Sequence, residues 1–96
     1  MHAVIRTYSG PGAKELFDLL EKKKADVEPL IKGVNGFVSY SLVRTPTGGV
    51  SVTVCKSKAG TDESVKVARN WIAENAAKTK VAAPAISEGD VVVHAG

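Results

Sequence analysis

Three side chains have the chemistry to bind a small ligand. Trp71 is the single tryptophan of the chain, and its indole offers a flat apolar surface with one N–H donor. Tyr40 offers a ring with a hydroxyl, and Arg44 could bind an anionic group through its guanidinium. We predict a ligand site formed by these three residues. The alternatives are structural: Trp71 packs in the core, Tyr40 borders it and Arg44 forms an ion pair.

A second group of residues is predicted at a subunit interface: Arg6, Tyr8 and His94. An arginine buried there would need an acid or a carbonyl as partner, because an unpaired buried charge is costly. No Ser/His/Asp arrangement, carboxylate pair or metal-ligand spacing stands out, so the catalytic residues stay unknown. The sequence predicts no metal and no cofactor. Cys55, the single cysteine, is predicted to be a small packing residue.

The glycine-rich segment YSGPGAKE, residues 8–15, lies between an apolar run and an amphipathic run, where phosphate-binding loops also lie. Glu15 occupies the third glycine position of a dinucleotide fingerprint, and the Gly-Lys-Ser/Thr ending of a P-loop is absent. The segment is therefore predicted to be the corner between the first strand and the first helix. Pro11 fixes φ there, and the flanking glycines permit the turn.

Length and composition predict one globular domain over residues 1–96, with 44% hydrophobic and 24% charged residues. No apolar run approaches the roughly 20 residues of a membrane helix, and the N-terminus does not resemble a signal peptide. A single cysteine excludes internal disulfides and multi-cysteine motifs. These features predict a cytoplasmic protein with no membrane partner. A net charge of +3 does not favour nucleic acid as a partner.

The hydrophobic pattern predicts the order β-α-β-β-α-β. Strands are predicted at residues 3–8, 37–44, 50–57 and 90–94. One helix is predicted from Ala13 to about Ile31, with either a kink near Glu28 or a break and a short final turn that starts there. Another helix is predicted to be capped by Thr61 or Asp62 and to end near Ala76. Two right-handed crossovers then interleave into an α+β ferredoxin-like plait, a four-stranded antiparallel sheet with two helices on one face.

The two faces of this sheet are predicted to differ. The face under the helices is predicted to hold mainly apolar residues: Ala3, Ile5, Val38, Tyr40, Leu42, Val50, Val52, Val54, Val91 and Val93. The opposite face would be mixed: Val4, Arg6, Tyr8, Phe37, Ser39, Ser41, Val43, Ser51, Thr53, Cys55, Val92 and His94. Such small side chains allow close approach by a second sheet, so we predict a homodimer with C2 symmetry that stacks these mixed faces. The alternative is a monomer with a solvated sheet.

The segment from Ile31 to Ile72 resembles the middle of the antibiotic-biosynthesis-monooxygenase-like dimeric α+β barrel proteins. The shared features are a GxxGF entry (Gly33, Gly36 and Phe37), a strand ending in Arg44, a glycine-containing turn and a helix beginning near a Thr-Asp-Glu cluster. The resemblance implies a homodimer whose sheets face each other, with a pocket between sheet and helices in each subunit.

The same resemblance implies roles for particular residues. In members that oxidise polycyclic aromatic substrates or degrade haem, an Asn on the first strand and a Trp on the second helix help to place the substrate, and a His ligates haem in the haem-degrading branch. Trp71 lies where such a Trp is expected. The first strand has no Asn and the second helix has no His, so these residues do not favour haem chemistry.

Two functions follow from the sequence. The first is binding, or cofactor-independent monooxygenase-like oxidation, of a small hydrophobic or aromatic ligand between helices and sheet. The second is a non-catalytic structural or regulatory dimer that engages other macromolecules.

Overall fold

Alternating strand-forming and helix-forming segments produce one antiparallel sheet with helices on one face in the computed structural model, which describes residues 1–95. The elements are β1 (His2–Ser9), α1 (Ala13–Lys22), α2 (Lys24–Lys32), β2 (Phe37–Thr45), β3 (Gly48–Cys55), α3 (Lys58–Asn75), a 3-10 turn (Ala77–Thr79) and β4 (Ala85–Asp90). The strand order is β2-β3-β1-β4, so β3 and β1 are central. The predicted ferredoxin-like plait is confirmed, with its first helix divided in two.

The sheet faces are the reverse of the prediction in β1 and β3. Residues directly opposite each other in an antiparallel pair share a face, and Arg6 lies opposite Ser51. These two are 3% and 0% exposed under the helices, whereas Ile5, opposite Val52, is 38% exposed on the other face. Alternation separates the two sets of residues but does not say which set the helices cover. The expectation that Arg6 and Tyr8 face away from the helices is therefore wrong.

Small side chains explain how the helices cover this face. α3 buries four small residues: Gly60, Thr61, Ser64 and Ala68. A Cβ on Gly60 would overlap the carbonyl oxygen of Asn35 and would lie 2.8 Å from the Cβ of Cys55. Because β3 also buries Ser51 and Thr53, the helix can approach the sheet closely.

The second long helix begins earlier than predicted, at Lys58 rather than after a cap at Thr61 or Asp62. Ser57 precedes it in an extended conformation, with φ −142°. The hydroxyl of Thr61 donates to the carbonyl oxygen of Lys58 over 3.0 Å, inside the first turn. Thr61 therefore supports this turn from within and does not cap it.

The first predicted helix is interrupted at Lys23, where φ is −104° and ψ is 19°. α1 ends with the Lys23 N–H donating to the carbonyl oxygen of Leu19 over 2.8 Å. Pro29 lies inside α2, and a proline ring crowds the carbonyl four residues earlier, which belongs to Ala25. α2 nevertheless continues through Pro29, so the helix is interrupted at Lys23 and not near Glu28 as predicted.

The corner between β1 and α1 forms where the sequence predicted it. Gly10 and Gly12 have φ angles of 79° and 85°, which favour glycine. A Cβ on Gly12 would also overlap the carbonyl oxygen of Thr79. The Leu16 N–H donates to the Gly12 carbonyl oxygen over 2.9 Å, which starts the helix at the turn. This segment is a structural corner.

β4 lies earlier in the chain than the strand predicted at residues 90–94. It pairs with β1, whose first residue, His2, lies opposite Asp90. One further bond follows, from the Val91 N–H to the Met1 carbonyl oxygen over 3.0 Å. Because β1 begins there, the residues after Val91 have no part of β1 left to pair with. The residues that follow are exposed: Val92, Val93 and His94.

The core lies between the helices and the covered face of the sheet. Its buried members are Tyr8, Ala13, Leu16, Phe17, Leu20, Val27, Ile31, Ala68 and Ala76. The Tyr8 and Phe17 rings meet edge to face, with their centroids 6.0 Å apart. Within residues 1–95, no helix combines the length and apolar character needed to cross a membrane. A cytoplasmic location stays a prediction.

Candidate functional site

A narrow cavity lies between the sheet and the helices. Its walls are mainly apolar side chains from the helices: Leu20, Val27, Leu30, Ile31, Val67, Ala68, Trp71 and Ile72. Its floor comes from the sheet: Arg6, Tyr8, Tyr40, Leu42 and Ser51. The centre of a water molecule can occupy about 20 Å³ of this space, which is room for roughly one water. Apolar walls with a few convergent polar groups are typical of ligand sites.

Arg6 brings a buried positive charge to the floor of this cavity. It lies in the central strand β1 and is 3% exposed. Its Nη1 donates to the hydroxyl of Tyr8 over 3.0 Å, while its Nε has no hydrogen-bond partner. Among residues 1–95, the ion pairs with carboxylates involve His2, Lys32, Arg44 and Lys58 and not Arg6. The cavity floor therefore holds a guanidinium without a counter-charge.

Two tyrosines flank this guanidinium. The guanidinium carbon of Arg6 lies 5.9 Å from the centroid of the Tyr8 ring, in addition to the hydrogen bond between the two side chains. Tyr40 lies on the neighbouring part of the floor. Burial raises the pKa of its hydroxyl, and the positive charge of Arg6 offsets this rise only in part. Tyr40 therefore stays protonated at neutral pH and can donate a hydrogen bond.

Two buried hydroxyls of β3 have no partner. Ser51 and Thr53 are 0% exposed, and neither side-chain oxygen has a hydrogen-bond partner within residues 1–95. Ser51 lines the cavity directly opposite Arg6 in the ladder. A buried hydroxyl without a partner is costly, and such groups in a cavity commonly serve a ligand or a water. Ser51 and Arg6 thus form a polar pair on an otherwise apolar surface.

A wider groove meets the cavity at Arg6. It lies between α3 and the segment 81–84 and has a volume of about 320 Å³. Arg6, Tyr8 and Ile72 line both spaces. The groove also contains the exposed Arg69. Arg6 therefore borders both the cavity and the groove.

Trp71 lies at the cavity wall, as the ligand-site prediction requires. It is half-buried on α3 and shares the cavity with Tyr40. Leu30, from α2, is 45% exposed and also lines the cavity. Because both large side chains have space on their outer sides, they can move when a larger molecule enters.

The structure separates the other predicted site residues from this cavity. Arg44 lies near the end of β2, where its Nη2 is 3.0 Å from a carboxylate oxygen of Asp18 and 3.8 Å from one of Glu21. Its placement matches the ion-pair alternative. His94 lies beyond β4 and is exposed. Arg6 and Tyr8, predicted at an interface, are instead the polar floor of the cavity.

The single cysteine of the chain does not offer a reactive thiol. Cys55 is fully buried, and burial, followed by the negative charge of Glu63, raises the pKa of its thiol. A raised pKa disfavours the reactive thiolate. Within residues 1–95, no three His, Cys, Asp or Glu side chains cluster as metal ligands would.

No protein-family model matches the sequence, and no curated protein matches it significantly. Solved structures do match. One is the NE2512 protein of unknown function from Nitrosomonas europaea, with a TM-score of 0.69 and 18% identity over 98% of this chain and 90% of that one. A candidate antibiotic biosynthesis monooxygenase from Chloroflexus aurantiacus matches with a TM-score of 0.62 and 18% identity over 99% and 96%.

A third similar structure is a dimeric ferredoxin-like protein from an uncultured marine organism, with a TM-score of 0.62 and 15% identity over 97% of this chain and 94% of that one. Identities this low relate folds and not activities. The chain has the fold of the antibiotic-biosynthesis-monooxygenase-like α+β proteins, as the sequence resemblance implied.

Proposed function

We propose that this chain binds a small aromatic or hydrophobic ligand in the cavity between its sheet and its helices. The observation that carries the proposal is the meeting of Trp71 and Tyr40 at one apolar cavity whose floor has unpartnered polar groups. Aromatic rings prefer offset or edge contacts with other rings, and the two side chains offer both a face and an edge. The similar structure described as a candidate monooxygenase is consistent with a small-molecule site.

Entry of the ligand requires the cavity to open. The room for roughly one water is too small for an aromatic ring, so Trp71 and Leu30 must move outwards as the ligand enters. Side-chain rearrangement of this kind is common on binding. The apolar walls then supply most of the affinity, and the polar floor fixes the orientation of the ligand.

An oxidising activity would be the catalytic form of the same proposal. The polar groups of the cavity are hydroxyls and a guanidinium, which can hold a ring and stabilise developing negative charge on it. The alternative, a non-catalytic dimer that engages other macromolecules, needs no small ligand. Binding of a small aromatic molecule at Trp71 therefore distinguishes the two functions.

We also propose a homodimer. Ile5 and Val43, 38% and 50% exposed, lie on the sheet face opposite the helices, with Val50 and Val52 beside them. An apolar face of this kind suits a second copy, and a protein of the same fold is described as dimeric. We call the face that carries Ile5, Val43, Val50 and Val52 the valine-rich face. In this dimer the two copies would stack their valine-rich faces, in place of the mixed faces that the sequence predicted.

The binding proposal can be tested by NMR, because a single tryptophan gives a single indole N–H signal. In a ¹⁵N-labelled sample, 2-naphthol is expected to shift this signal in a saturable way. The same titration of Glu74→Gln, on the exposed part of α3, should be unchanged. Trp71→Leu should weaken binding measured by calorimetry at least about tenfold, since it removes a hot-spot aromatic side chain. An indole signal that stays in place while calorimetry shows no heat would refute the proposal.

A further inference from the structure

We propose that the ligand of this cavity carries a carboxylate, which Arg6 and Ser51 bind at the cavity floor. This inference rests on the proposed function and adds the chemical class of the ligand. It starts from the buried guanidinium, whose Nε has no partner, and from the Ser51 hydroxyl opposite it.

A buried guanidinium without an acid costs folding free energy, because burial removes it from water and neutral partners replace only part of the lost solvation. Arginine does not escape this cost by losing its proton, since it stays charged in proteins. The Tyr8 hydroxyl satisfies one N–H but supplies no negative charge. Arg6 therefore places a positive charge in a central strand, and an anionic partner would neutralise this charge.

Five of the ten acidic residues of this chain form ion pairs away from Arg6. Asp18 and Glu21 lie beside Arg44, while Asp62 and Glu88 lie beside Lys58. Glu28 pairs with Lys32 on the outside of α2. Among the residues that the structure describes, no Asp or Glu lines the cavity itself. The counter-charge that fits this position is therefore one that a ligand brings.

The donors at the floor fit a carboxylate. The Nε–H of Arg6 can donate to one oxygen, and the Ser51 hydroxyl, adjacent on the same face, can donate to the other. Tyr40, protonated at neutral pH, adds a third donor at the floor. One guanidinium balances one negative charge, which favours a monoanion over a dianion. The apolar walls then hold the aromatic or aliphatic body of the ligand.

The test compares two probes of nearly the same shape, 2-naphthoate and its neutral amide, 2-naphthamide. The native chain is expected to bind 2-naphthoate at least about tenfold more tightly than 2-naphthamide by calorimetry, because hydrogen bonds to charged groups are the stronger ones. Both probes should shift the indole signal of Trp71. In Arg6→Met the preference should vanish, while the affinity for 2-naphthamide changes less than about threefold. Ser51→Ala should reduce the preference several-fold.

Equal affinity of the native chain for the two probes, or an unchanged preference in Arg6→Met, would overturn the inference. The first result needs no variant, so it decides the matter even if Arg6→Met does not fold. Binding of 2-naphthol and 2-naphthamide at Trp71 without any preference for 2-naphthoate would overturn only the carboxylate and leave the proposed function standing. Failure of all three probes would overturn both.

Discussion

The guanidinium of Arg6 donates to the hydroxyl of Tyr8 over 3.0 Å, and both side chains are 3% exposed beneath the helices. Each group depends on the other for its hydrogen bond, and neither brings a negative charge. The pair therefore provides a sensitive measure of whether Arg6 stabilises the fold or is kept for a ligand.

We expect the double variant Arg6→Met/Tyr8→Phe to be as stable as the native chain or more stable. Its free energy of unfolding should be higher than that of the native chain by up to about 3 kcal/mol. Replacing both partners of a buried polar contact with apolar groups is often neutral or stabilising. Tyr8→Phe alone should cost about 1–3 kcal/mol, because it leaves a buried N–H unpaired. Urea denaturation followed by circular dichroism measures both.

Arg44→Met is the matched control, since Arg44 forms an exposed ion pair and should contribute only about 0–1 kcal/mol. A double variant less stable than the native chain by more than about 2 kcal/mol would make Arg6 a structural residue. Its stability cost would then no longer point to a ligand.

Gly60→Ala should destabilise the chain by about 1–3 kcal/mol, because its methyl group would overlap the Asn35 carbonyl and crowd Cys55. Gly89→Ala is the control, because a Cβ at Gly89 meets nothing within 4 Å. Thermal unfolding of the two variants compares them directly. Equal midpoints would contradict the close approach of α3 to the sheet.

Val43→Lys is expected to convert the proposed homodimer into a monomer. Val43 lies on the valine-rich face, and a lysine there would place a charge inside the interface. Sedimentation should give twice the 10.0 kDa chain mass for the native protein and the single mass for the variant. Asn70→Lys, on the exposed side of α3, should leave the mass unchanged. A native protein that sediments as a monomer would exclude this dimer.

Stability is expected to fall in alkaline solution. Burial raises the pKa of Tyr40 above its ordinary value of 10.0, and burial with the charge of Glu63 raises that of Cys55 above 9.0. The folded state then holds these protons more tightly than the unfolded state. The contribution is present below the ordinary pKa values and is lost as pH rises above about 9.

Urea denaturation at about pH 8 and about pH 10.5 measures this loss. The variants Tyr40→Phe and Cys55→Ala should each show a smaller decrease between the two pH values than the native chain does. A decrease of the same size in both variants would assign it to other groups.

Much of the fold follows from local patterns. Alternation in the segments of β1, β2 and β3 and the spacing of apolar residues in α1 and α3 predict the elements and their order. Gly10, Pro11 and Gly12 predict the β1–α1 corner. These features depend on near neighbours in the chain, which the sequence lists directly.

The predictions from the sequence are wrong where a residue far along the chain determines the structure. The face that Arg6 occupies depends on how closely α3 can approach, and this depends on Gly60 and on small residues of β3 far along the chain. The end of β4 at Asp90 depends on where β1 begins, at His2, and not on the more apolar run after Asp90. Pairing with β1 therefore determines the position of β4, although the run after Asp90 has the stronger local strand propensity.

The candidate site was predicted only in part. Trp71 and Tyr40 have chemistry that marks them from their residue types alone, and both line the cavity. Arg6 and Ser51 gain their importance from burial and from the lack of a partner, which only the three-dimensional arrangement reveals. One sequence signal was available: an arginine in the middle of a β-branched central strand needs an explanation.

The most direct test of the binding site is a crystal structure of the native protein grown with saturating 2-naphthoate. We predict electron density for the naphthyl ring between Trp71 and Tyr40, with Trp71 and Leu30 displaced outwards and the carboxylate at Arg6 and Ser51. A cavity that stays closed around Trp71, with the probe absent or bound elsewhere on the surface, would contradict this prediction.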